Sequence, residues 1–369
     1  MAAPFMKVLA FRRFPLGDEI TLPTVRPGFN REGNLFIHGR DTVFSIPALD
    51  VRGHLLRLFS IFWGCVTIFY IYRIARAAFP RIPAVAFGSG AFAATLPQFN
   101  FISGAVGNDS LAAALGAGTL LFLVRRIGKE TPVRPRDYLG LGILLLISLL
   151  TKFNLIFLLP LSLIFICLKA KDEGTWRSGL AGLVLTSLPL ILGMTAAAAL
   201  FPRDLLLKTR ILGFRLFGTD PALVTAPHLR YLIRTIYRSF FATFGWMSIR
   251  VGDALYLAWG LICAAGLLGW VKALFRRAEG EERRGRQLGL LAAAFIILSL
   301  GVMKNNLLVH QSQGRFLFPA LGAIAVLLSY GILNLFREKR REIAALGCVI
   351  IFLILNLFTF CVYLVPDSY

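Results

Sequence analysis

The sequence predicts an all-α polytopic membrane protein with about ten transmembrane helices and an outward-facing loop region of interfacial amphipathic helices. Three observations carry that prediction. Long apolar runs follow one another from Leu55 nearly to the last residue. Only 16% of residues are charged and the mean hydropathy is +0.72, whereas soluble domains average about 25% charged residues. The lysines and arginines behind the net charge of +21 crowd into short gaps between the apolar runs, as they do in cytoplasmic loops of membrane proteins. The basic excess therefore reads as adaptation to a lipid bilayer, with an acidic or phosphorylated lipid as partner and no nucleic acid.

The runs fall at 55–75, 82–99, 109–125, 137–150, 153–169, 179–200, 252–275, 288–303, 316–336 and 343–365. Several are shorter than the roughly 20 residues of a perpendicular span. The basic gaps hold Arg73, Arg76 and Arg81; Arg125, Arg126, Lys129, Arg134 and Arg136; Lys169, Lys171 and Arg177; Arg276, Arg277, Arg283, Arg284 and Arg286; and Arg337, Lys339, Arg340 and Arg341. One orientation puts all of them in the cytoplasm. The gaps holding Asp109, Lys152, residues 201–251 and residues 304–315 then face the outside or periplasm of a bacterial inner or plasma membrane.

Two regions follow: an outer-face loop segment, 1–53, and a multipass transmembrane domain, 54–369, which includes the outer interfacial helical loop 201–251. Residues 1–53 are polar and lack a basic n-region followed by an apolar core, so no signal peptide is legible. Placed outside with no helix to carry them there, they lead to the expectation that a first transmembrane helix lies upstream of Met1. A translocated N-terminal tail is the alternative.

Within 201–251, Leu229, Leu232, Ile233, Ile236, Tyr237, Phe240 and Phe241 recur at helical spacing and form one apolar face. Arg230, Arg234 and Arg238 form a stripe beside it. Such a helix lies in the interface, where the arginines either anchor it to headgroups or hold a phosphate through their guanidinium forks.

Candidate chemistry sits at outward helix ends. Asp109 is the only acidic residue between Asp50 and Glu130, inside PQFNFISGAVGNDSL. Asn108-Asp109-Ser110 has the composition of a helix N-cap; the other reading is a carboxylate poised to orient or deprotonate a hydroxyl, or to hold a metal. Lys152, the sole charge between Asp137 and Lys169, is either a snorkelling lysine or a phosphate contact in a tight turn. Arg315 opens a span, where a cation opposes the helix dipole, and so needs a phosphate or a carboxylate such as Asp109. Gln313 and Gly314 precede it in a polar turn; His310 and Lys304 are secondary candidates. Asp18, Glu19 and Asp41 are the acidic candidates of the N-terminal segment. The five cysteines all lie within apolar runs without metal or disulfide spacing, and four histidines make a His-based metal site a poor expectation. A single Asp is no metal-ligand set, so no cofactor is assigned and divalent-metal dependence stays open.

Five stretches taken together resemble the bacterial GT-C superfamily of membrane glycosyltransferases, in a branch related to the protein O-mannosyltransferases and the lipid A aminoarabinose transferase. They are HLLRLFSIFWGCVTIFYIYRIARAAFP (54–80), PQFNFISGAVGNDSLAA (97–113), LLISLLTKFN (145–154), RSFFATFGWM (238–247) and QGRFLFPAL (313–321). The resemblance implies a GT-C-like fold and inverting transfer of a sugar from a polyprenyl-phosphate donor to a lipid, glycan or protein of the cell envelope. It implies that Asp109 is the second acidic residue of the active site, supported by Asn108, Gln313 and His310. Lys152, Arg315 and the arginines at 230, 234 and 238 would be donor-phosphate contacts. The family's principal carboxylate lies in the first outer loop; either Asp18 or Glu19 fills that role, or the base lies upstream of Met1. Rival readings are a lipid or sugar transporter or flippase, a polysaccharide polymerase or ligase, and a non-catalytic subunit. The polar candidates sit at helix ends rather than mid-span, which disfavours a transporter.

Overall fold

The computed structural model describes residues 25–30, 33–38, 48–129, 131–201, 218, 223–274, 282–308 and 312–365. Asp18, Glu19, Asp41 and His310 lie outside them, as does much of 201–251. A hairpin of β1 (Val25–Asn30) and β2 (Gly33–His38) precedes an all-helical body. The helices in order are α1 (Ala48–Ala78), α2 (Pro83–Ala94), α3 (Pro97–Ser103), α4 (Asp109–Ile127), α5 (Pro135–Thr151), α6 (Leu158–Glu173), α7 (Trp176–Leu200), α8 (Ala226–Phe241), α9 (Asp253–Leu274), α10 (Glu282–Asn306), α11 (Leu321–Asn334) and α12 (Arg341–Thr359). A short hairpin, β3 (Thr243–Phe244) with β4 (Ile249–Arg250), separates α8 from α9.

Among the described residues, eight helical segments are long and apolar enough to span a bilayer. The sequence suggests about ten, and the difference lies in two short segments. The run at 82–99 breaks into α2 and α3 at Thr95-Leu96-Pro97. Proline has no N–H to continue the ladder and pushes the preceding residue out of helical geometry. The run at 137–150 is helical, but α5 has only 17 residues.

The bundle is centred on α4 and the segment Gly314–Asn334, 67% and 72% buried, whereas α7 is only 6% buried and forms the rim. Helices in lipid gain little from burying apolar surface against one another, so close packing of small residues holds them together. The first half of α4 follows that rule, with Ala112, Ala113, Gly116 and Ala117 all buried. At Gly116 a Cβ would stand 2.1 Å from the Pro319 carbonyl, so only glycine admits this contact between α4 and the turn leading into α11.

Helix α8 matches the amphipathic segment expected from the sequence. Thr225 accepts from the His228 amide at its start and Pro227 occupies the first turn. Leu232, Phe240 and Phe241 are buried and Ile236 and Tyr237 pack against the core, while Ile233 stays exposed. Trp259 on α9 stacks between Phe241 (4.8 Å) and Phe352 (5.9 Å), which ties the end of α8 to α9 and α12. Beyond α8, the Thr243 amide donates to Gln98 Oε1 at 2.9 Å, and the Tyr256 hydroxyl donates to the Ala242 carbonyl at 2.5 Å. Two of the five sequence motifs are thereby joined. The Asp109 end of α4, the Lys152 end of α5 and the Arg315 turn lie together at one end of the bundle. At the other end, Arg126 pairs with Asp137, and Asp172 pairs with Lys169 and Arg286.

Candidate active site at the Asp109 end

Three helix ends place Asp109, Lys152 and Arg315 against one another. Asp109 is the first residue of α4 and is 13% exposed. Lys152 follows the last turn of α5 with extended backbone, and its Nζ donates to Asp109 Oδ1. The Arg315 guanidinium lies 3.7 Å from Asp109 Oδ2. Both cations also sit over the Phe316 ring, at 5.5 Å for Lys152 and 5.8 Å for Arg315. One carboxylate facing two cations leaves the cluster positive, which suits a further anion. Among the described residues no group of three or more His, Cys, Asp or Glu could hold a metal ion.

The scaffold around the triad consists of polar side chains used for tertiary contacts. Asn108 occupies the N-cap position of α4 but makes no capping bond. Its Nδ2 donates instead to the Thr151 carbonyl at 3.0 Å, which clamps the Asp109 loop to the end of α5. Asn154 Nδ2 donates to the Phe316 carbonyl at 3.0 Å and so holds the Lys152 turn against the Arg315 turn. The Gly314 amide donates to Ser239 Oγ at 2.7 Å. A Cβ at Gly314 would come within 2.2 Å of the Phe240 nitrogen, so glycine is required where this turn meets α8. Four atoms of this region, Asn154 Oδ1, Asn305 Oδ1, Gln313 Oε1 and Arg315 Nε, are buried without a hydrogen-bond partner. Buried polar atoms are seldom left so, and a mixed set of acceptors and a donor suits a hydroxyl-bearing ligand with an anionic group.

Beside the triad opens a cavity of about 500 Å³, lined by Lys152, Asn154, Pro160, Val302, Lys304 and Phe316 among others. Its walls are mostly apolar and its polar groups are two ammonium groups and two asparagines, Asn154 and Asn305. That distribution fits an amphiphile with an anionic head.

The other sequence candidates are placed differently. Arg238 donates to Asp253 at 2.5 Å and lies 4.9 Å over the Tyr256 ring, so its charge is engaged beside α9. Arg230 and Arg234 are exposed and make no ion pair among the described residues. Lys304 donates to the Gly218 carbonyl. Burial pushes the Tyr237 hydroxyl up to about 12, so it stays protonated and donates to the Tyr256 carbonyl at 2.5 Å. Sequence reasoning missed Asn154 and Ser239. Asn154 shares the polar interruption TKFN with Lys152 and could have been found there; Ser239, buried within an amphipathic helix, left no signal.

Residues 46–198, which include Asn108, Asp109, Lys152 and Asn154, match the family of dolichyl-phosphate-mannose-protein mannosyltransferases. No curated protein matches this chain. A solved structure, that of ArnT from Cupriavidus metallidurans in the apo state, aligns at 15% identity with a TM-score of 0.46. The alignment covers 79% of this chain and 47% of ArnT, so the chain spans about half the length of that protein.

Proposed function

We propose that this chain transfers a sugar from a polyprenyl-phosphate-linked donor to a hydroxyl of a cell-envelope acceptor, at the outward end of the bundle. The observation that carries the reading is the meeting of Asp109, Lys152 and Arg315 beside an amphiphile-sized cavity. The prenyl chain lies along the apolar walls and the phosphate at the Lys152 side. The acceptor oxygen attacks the anomeric carbon as the bond from that carbon to the phosphate oxygen breaks. A carboxylate takes the hydroxyl proton, and the charge gained by the departing polyprenyl phosphate is met by Lys152 and Arg315. Asp109 orients the acceptor or serves as base, together with a further carboxylate at Asp18 or Glu19.

The test is release of polyprenyl phosphate from a panel of radiolabelled polyprenyl-phosphate sugars by the reconstituted protein. Turnover by the wild type and its loss in Asp109→Asn are expected. Absence of release with every donor, in folded protein, would sink the transferase reading and favour a flippase.

A further inference from the structure

At the end of the bundle opposite Asp109 lies a second, larger cavity, about 670 Å³, that the proposed reaction does not use. It is bounded by the α1–α2 turn, the end of α9, the start of α10, the end of α11 and the turn into α12. Its volume falls within the roughly 300–1,000 Å³ typical of ligand sites. Among the described residues lining it, five cations (Arg81, Lys272, Arg284, Arg337 and Arg341) face two carboxylates, Glu338 and Glu342. Internal contacts engage three of the cations. Lys272 Nζ donates to the Leu335 carbonyl at 2.8 Å, Arg284 lies 5.6 Å over the Phe79 ring, and Arg341 Nη1 reaches Glu338 at 3.4 Å.

Basic residues at helix ends are ordinary where loops stay in the cytoplasm, and they would be solvated. Two atoms here are not. Asn334 Nδ2 and Arg341 Nε, both on residues that line the cavity, are buried without a hydrogen-bond partner. Both are donors only. Leaving such groups unsatisfied is unfavourable, and a ligand that answers both must offer acceptor oxygens. In a cavity with excess positive charge, an anion's oxygens are that ligand.

We propose that this cavity binds the phosphate of an acidic membrane lipid headgroup, with Asn334 and Arg341 as its direct donors. The site lies at a helix end, where headgroups are at hand, and basic pockets between transmembrane helices are suited to acidic headgroups.

Native mass spectrometry of the detergent-purified full chain, titrated with phosphatidylglycerol, tests this; phosphatidylcholine is the neutral control and inorganic pyrophosphate the soluble one. The wild type should bind phosphatidylglycerol about tenfold or more tightly than phosphatidylcholine, and Asn334→Leu with Arg341→Gln should remove that margin. Arg177→Gln, an exposed arginine at the start of α7 that lines neither cavity, should leave it unchanged. Glu338→Gln removes a competing carboxylate and should tighten binding, a gain that misfolding cannot produce. Equal affinity for the two lipids would overturn the proposal, as would undiminished phosphatidylglycerol binding by the folded double variant. Pyrophosphate binding without phosphatidylglycerol binding would overturn the lipid as the source of the phosphate.

Discussion

Asp109 and Asp137 both lie in the first turn of a helix, each just before a long apolar run. Their hydrogen bonding separates them. Asp137 accepts from Arg126 at 2.5 Å through one oxygen and from the Arg134 backbone amide at 3.2 Å through the other. Both oxygens are satisfied by nearby chain, and the residue closes the start of α5. Among the described residues, Asp109 accepts no backbone amide. Its Oδ1 accepts from Lys152, 43 positions away, and among the described residues its Oδ2 faces Arg315 at 3.7 Å, beyond hydrogen-bond reach. A carboxylate satisfied locally stabilises its helix, whereas one held by remote cations with an oxygen left over can act on a substrate.

The largest expected effect tests that contrast directly. Asp109→Asn should lower polyprenyl-phosphate release by about 10²–10⁴-fold. Asp137→Asn should leave turnover per folded molecule intact and lower stability by about 1–3 kcal/mol. Release assays paired with thermal denaturation of both variants check this, and comparable loss of turnover in both would erase the distinction. Next, Lys152→Met should raise the donor KM by about 10–100-fold, the value of a charged hydrogen bond to the donor phosphate. If Lys152 serves only Asp109, adding Lys152→Met to Asp109→Asn will recover stability and the donor KM will never have moved. Gly314→Ala should destabilise the protein by about 1–3 kcal/mol through overpacking against α8, measured as a lowered denaturation midpoint. It should also reduce turnover, because the adjacent Arg315 shifts. The smallest effects belong to Arg230→Gln and Arg234→Gln, within about 0.5 kcal/mol in stability; a raised donor KM in either would bring the α8 arginines into the donor site.

Much of this could be read from the chain because charge is conspicuous in an apolar background. Asp109, Lys152 and Arg315 stand out as isolated ionic residues at the edges of spans, and α8 announces itself by its period. What sequence could not show is how those edges meet. Asn108 has the composition of a cap, yet its side-chain oxygen accepts no capping bond and its Nδ2 donates to the Thr151 carbonyl, 43 positions away. Arg238 belongs to the same stripe as Arg230 and Arg234 but is drawn to Asp253, fifteen positions along. The break at Pro97 follows from its missing N–H, yet the apolar residues on both sides make 82–99 read as one run. For the same reason the requirement for glycine at 314 is invisible: nothing in QGRF indicates that another helix's backbone lies in contact.

That contact has a further consequence. Gly314 seats the Arg315 turn on the backbone of α8, and a few residues later the Pro319 carbonyl seats the same turn on Gly116 of α4, the helix that begins at Asp109. Two glycines thus key α8, the Arg315 turn and α4 to one another. Cation and carboxylate share one frame, so a side chain added at either glycine would disturb both.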